Sequence, residues 1–158
     1  MGPFGIMFKW LWVVFIVFTL GYAGVAWVAS RRHIRKDPEL AAGYRTIIRG
    51  IVAWGNLPWF IMGIGLTVGG VPTMFHFFRP RDGNLFVLTF LGSVILLWLL
   101  ILYWVFLRDG AELLARHPLP SYDIRSPLGW KLFWFACIAG GVVGLILMFT
   151  QDIPIPTQ

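Results

Sequence analysis

Few residues in this chain have any capacity for chemistry. There are three histidines, His33, His76 and His117, one cysteine, Cys137, and one amide set inside an apolar run, Asn56. The richest local pattern is Phe75-His76-Phe77-Phe78-Arg79, with Arg81 close behind. An imidazole and two guanidinium groups among aromatic rings supply hydrogen-bond donors beside an apolar slot, which are the residue types a quinone head group requires. A second pattern is Trp54-Gly55-Asn56-Leu57-Pro58-Trp59. Pro58 cannot donate to the carbonyl of Trp54 and its ring crowds that group, so a helix passing through should kink there. The freed carbonyl needs a donor where water is absent, and Asn56 is placed to provide one. The alternative is a polar notch, lined by Trp54 and Trp59, that receives a ligand head group.

Several classes of chemistry are excluded. A single cysteine permits neither an intramolecular disulfide nor a thiolate metal cage within one chain. No paired carboxylates appear inside the apolar runs, so general acid–base hydrolysis has no obvious machinery, and no catalytic residue or metal ligand is assigned. Bis-histidine haem ligation needs imidazoles facing one another from within a bundle. His33 and His117 fall near one set of helix ends and His76 near the other, so His33 and His117 are expected to be solvated interfacial residues. Apart from quinone as a candidate ligand, no cofactor is expected.

These residues must be positioned by helices, because the chain is 58% hydrophobic with a mean hydropathy of +0.77 and is only 13% charged. A soluble domain would need more polar surface. Apolar runs of about twenty residues recur, each long enough to cross a hydrocarbon core about 30 Å thick. The fold class expected is therefore all-α: a polytopic membrane protein, with residues 1–158 forming a single bundle of four transmembrane helices at about 10–30, 38–70, 85–117 and 127–150. The second helix is expected to kink at Pro58. The first run carries its positive charge after the apolar segment, at Arg31, Arg32, Arg35 and Lys36, which opposes a signal peptide. Start signals stand at Asp37-Pro38, Asn84 and Ser126-Pro127. The good helix formers Ala111 to Ala115 carry the third helix past Arg108, and Pro118 and Pro120 end it. The segment from Thr73 to Gly83 reads as a short aromatic stretch at the membrane interface.

Charge sets the orientation. Of the 13 Lys and Arg residues, only Lys9, Arg79 and Arg81 lie on one side. Arg31, Arg32, Arg35, Lys36, Arg45, Arg49, Arg108, Arg116, Arg125 and Lys131 lie on the other. Keeping positive residues inside makes loops 31–49 and 108–126 cytoplasmic and both termini external, in a membrane expected to be the bacterial inner membrane. The net charge of +6 is thus a topology signal, and no motif or basic stripe points to nucleic acid.

Small residues mark where helices should approach. Gly55, Met62 and Gly69 share one stripe with Pro58 and Gly65 beside it. Asn56, Gly63 and Gly70 form the next, and Ala136, Gly140 and Gly144 repeat the pattern on the last helix. The absence of ionisable groups between the flanking charges opposes a proton relay or ion-coupled pump. The function expected is a non-catalytic accessory subunit or assembly factor of a larger membrane complex, with respiratory or redox assemblies among the candidates. Its partners would be the lipid bilayer and other membrane subunits or further copies of itself. The alternatives are a quinone-interacting redox subunit and a small transporter or channel for a neutral solute.

Overall fold

The computed structural model describes residues 3–151; the proline-containing tail Ile153–Gln158 lies outside them. The described chain is all-helical in class, 81% helix and without strands, and contains four stretches long and apolar enough to span a membrane: Phe8–Lys36, Leu40–Thr67, Leu85–Leu107 and Pro127–Thr150. Their mean hydropathies run from 1.4 to 2.8. Backbone polar groups have no water to bond within a bilayer, and helices satisfy them internally.

The first helix, α1 (Pro3–Lys36), is longer at both ends than its apolar run, because nothing in Arg31 to Lys36 breaks it. Asp37-Pro38-Glu39 forms a turn, with Asp37 Oδ1 accepting from Glu39 N at 3.1 Å, and α2 starts at Leu40. The second span is two helices in close succession, α2 (Leu40–Trp54) and α3 (Leu57–Thr67). Gly55 and Asn56 between them keep right-handed helical dihedrals, and Phe60 N still donates to Asn56 O, so the kink is minor. Two short 3-10 turns, Met74–Phe78 and Pro80–Asp82, fill the aromatic stretch. Asn84 then caps α4 (Leu85–Leu107), its side chain accepting from Phe86 N and Val87 N.

The expected run to residue 117 is interrupted. α4 stops at Leu107, and Asp109 takes a left-handed conformation, φ 55°, before a separate α5 (Gly110–Arg116). Ser126 caps α6 (Pro127–Thr150) by accepting from Gly129 N at 3.0 Å.

Two clusters of buried side chains hold the bundle, one near each end. At the end carrying most of the arginines, Ala26, Ile47, Val105, Ala111, Leu114, Leu119 and Trp130 pack together. At the other, Met62, Leu66, Val71, Phe77, Val87 and Leu91 do so. Lipid is as apolar as these side chains, so dispersion and close fit, not transfer from water, stabilise such contacts.

Glycines permit the closest approaches. Gly63 lies under the Trp12 ring of α1, and Thr19 of α1 lies beside Gly55. Gly65 and Gly69 receive Phe86 of α4, Gly141 of α6 receives Trp98, and Gly110 receives Trp104. Gly70 ends the second span with φ 68°, a left-handed value that favours glycine. The span hydroxyls turn inward on their own helices: Thr19 to Phe15 O, Thr67 to Gly63 O, Ser93 to Phe90 O and Thr89 to Leu85 O.

Candidate functional site

The residues singled out around Asn56 diverge. Asn56 is buried, and its Nδ2 donates to Val52 O at 2.7 Å, so the carbonyl it serves is two residues before that of Trp54. Its Oδ1 is buried with no partner among the described residues. Trp54 points away from the bundle, 54% exposed, while Trp59 stacks on Phe15 of α1 with ring centroids 4.2 Å apart. The two tryptophans and the amide therefore line no common notch.

At the end of the bundle near Gly70, His76 is half-buried in the first 3-10 turn, and its Nδ1 pairs with Thr73 Oγ1 at 2.9 Å. Arg79 meets Asp82 at 3.5 Å, both partly exposed. Arg81 is exposed on the second turn. The aromatic neighbours are present, with Phe77 fully buried against Phe90 at 5.1 Å.

The best-formed polar arrangement lies at the opposite end. His117, expected to be solvated, is 4% exposed. It sits just past α5, where its Nδ1 lies 2.6 Å from Leu113 O and its Nε2 lies 3.2 Å from Leu40 O at the start of α2. The ring rests on Gly43, where a methyl group would collide with it. Tyr44, fully buried, meets the imidazole edge-on at 4.9 Å and donates its hydroxyl to Pro118 O at 3.1 Å. His33 of α1, half-buried, stacks on Tyr44 with centroids 6.2 Å apart.

Local sequence explains each position. His117 N closes on Leu114 O in a tight last turn, which leaves Leu113 O for the ring. Pro118 forbids further helix. Gly43 gives the only side-chain-free surface in the first turns of α2, so α5 can end against it.

Nothing in local periodicity announces this site, because residues 40–44 meet residues 117–118 across 74 to 77 positions. A glycine beside a tyrosine at the start of a good helix, and a His-Pro pair closing another, are the signals that could have found it.

Both ring nitrogens of His117 face carbonyl oxygens, so neither offers a free lone pair to a metal, and no group of three metal-binding side chains occurs among the described residues. No nucleophile or carboxylate bonds the ring. The arrangement ties the start of α2 to the end of α5.

Nearby, Lys131 of α6 meets Glu112 of α5 at 3.3 Å. A backbone hydrogen bond at the start of α5 holds the Glu112 carboxyl below its ordinary range; desolvation opposes this, and Lys131 adds to it.

Two surface cavities border α1. An open groove of about 510 Å³ is lined by Gly21, Gly24, Val25, Val28 and Ala29. A smaller one of about 290 Å³ lies between Phe18, Thr19 and Tyr22 of α1 and Ser121 and Tyr122 of the α5–α6 connection. No family model, curated protein or solved structure matches the chain.

Proposed function

We propose that this is a non-catalytic subunit or assembly factor of a larger membrane complex, holding other transmembrane segments against α1 and α6. One observation carries the reading. Several glycines are filled by large neighbours within the chain, Gly63 by Trp12, Gly69 by Phe86 and Gly141 by Trp98, whereas Gly50 of α2 and Gly92 of α4 are open. On α1 and α6, a methyl group added at Gly21, Gly24, Gly140 or Gly144 would meet no other part of the chain within 4 Å, and Ala136 of α6 is exposed. Exposed leucines are ordinary on a lipid-facing surface, but small-residue faces are where transmembrane helices come into close contact. In α6, Trp130 alone is buried.

Extraction in mild detergent followed by native mass measurement tests this. The expected species is heavier than the 18.0 kDa chain, and Gly140→Leu with Gly144→Leu should return it toward monomer without loss of helicity. A lone, well-folded monomer in the native protein would defeat the proposal. The membrane we assign is the bacterial inner membrane, with the arginine-rich end in the cytoplasm and both termini outside.

A second reading, quinone contact at the His76 end, has one observation in its favour. Thr73 fixes the imidazole through Nδ1 amid Phe75, Phe77 and Phe78, which pre-orients the ring beside an apolar surface. Bound quinone should fall in His76→Ala; equal quinone content in wild type and variant would remove this reading.

A further inference from the structure

Besides the packing of Ile47 with Ala111 and Leu114 and the Tyr44 bond to Pro118 O, α2 meets the end of α5 through one imidazole whose two nitrogens both face acceptors. Leu113 O lies 2.6 Å from Nδ1 and Leu40 O lies 3.2 Å from Nε2. A carbonyl oxygen only accepts, so each bond needs a proton on the ring nitrogen. Neutral imidazole carries one such proton and imidazolium carries two. A neutral ring therefore turns a lone pair toward one of the two oxygens, with His117 4% exposed and Gly43 flush beneath it.

We propose that His117 is a proton-operated clamp between the start of α2 and the end of α5. With both nitrogens protonated, the ring joins Leu40 O to Leu113 O. On deprotonation the proton leaves Nε2 to solvent, the short local bond to Leu113 O remains, and the longer bond across to α2 is lost. Release loosens the start of α2 from the end of α5, while Tyr44 still donates to Pro118 O and Ile47 still packs in the cluster with Ala111 and Leu114. The connection that follows α5, residues 117–126, carries Leu119 into the buried cluster and Ser121 and Tyr122 onto α1, so the clamp bears on how this end of the bundle is covered.

The groups around the ring leave it without a carboxylate partner. On α2 the ring meets Tyr44, whose hydroxyl is engaged with Pro118 O, while Glu39 and Arg45 are exposed. On α1, His33 stacks on the other ring of the pair, Tyr44. On α5, Glu112 is bound to Lys131 of α6, and Arg116 is exposed. No carboxylate reaches the imidazole, so the carbonyl oxygens are its acceptors.

Hydrogen exchange on the full chain in lipid nanodiscs, from about pH 8 down to about pH 5.5, tests the clamp across the range where histidines change charge. After correction for intrinsic rates, amides in residues 40–44 and 110–117 should slow by about tenfold at the acid end, the size expected of one charge-assisted bond. His117→Gln does not titrate and should flatten that response, while His33→Gln should leave it intact. A response that survives in His117→Gln, or that vanishes in His33→Gln, overturns the proposal. Nitrogen NMR of the wild-type histidines decides the matter if the variant fails to fold. Both His117 nitrogens should be protonated at the acid end and one bare at the alkaline end. A ring that keeps one bare nitrogen throughout would refute the clamp.

Discussion

At the scale of single residues, the basic end depends on contacts that tolerate almost no added volume. Gly43 is buried beneath His117, and a methyl group there meets the ring before any flexible side chain can yield. Gly43→Ala gains helix propensity, yet it must push α5 away or turn the imidazole out of line with Leu40 O. Overpacking of this kind costs about 1–3 kcal/mol, more than the roughly 1 kcal/mol that alanine gains over glycine inside a helix. Thermal unfolding should therefore show a lowered midpoint, and a raised one would contradict the geometry. Tyr44→Phe removes one hydroxyl and leaves Pro118 O without its donor. The expected loss is about 1 kcal/mol, measurable in the same assay, with the ring contacts to His33 and His117 retained.

At the scale of elements, the four spans were legible because apolar length is a property of the local chain, and Asn84 and Ser126-Pro127 announced two helix starts in the same way. What was not legible depends on distant partners. Ala111 to Ala115 favour helix, and the one local sign against it, Gly110 after Asp109, weakens the run without fixing where the chain turns. The turn lets Gly110 slip under Trp104 and brings Ala111 and Leu114 onto Trp130 and Val105. His117 was misjudged for a related reason: its partners are backbone carbonyls, one of them 77 residues away, and carbonyls carry no signature in sequence. Asn56 was legible as a polar group serving a helix carbonyl, though the carbonyl proved to be that of Val52. The turn at Asp109 yields an element-scale prediction. A left-handed conformation costs a non-glycine residue about 1 kcal/mol, and Asp109 makes no side-chain capping bond to offset it. Asp109→Gly should thus raise the unfolding midpoint modestly. Asp109→Val, with a branched side chain that resists positive φ, should lower it.

At the scale of the whole molecule, the charge distribution and the packing point to one arrangement in the membrane. The α1–α2 hairpin displays Arg31, Arg32, Arg35, Lys36, Arg45 and Arg49 as exposed side chains, and Arg108, Arg116 and Arg125 are exposed at the same end of the bundle. Only one ion pair among the described residues, Arg125 with Asp123, involves any of these nine, so the rest are free to hold this end in water and against anionic head groups. The opposite end offers Arg79, already paired with Asp82, and Arg81. Moving several unpaired guanidinium groups across the bilayer is far costlier than moving the shorter and partly neutralised set, so the arginine-rich end should remain cytoplasmic. Single-cysteine variants read this directly once Cys137, exposed on α6, is replaced by alanine. A membrane-impermeant thiol reagent applied to intact bacterial spheroplasts should label Asp82→Cys and spare Arg116→Cys until the membrane is broken. Labelling of Arg116→Cys alone would invert the bundle. It would also place the His117 clamp on the outer face, where it would answer to the pH outside the cell.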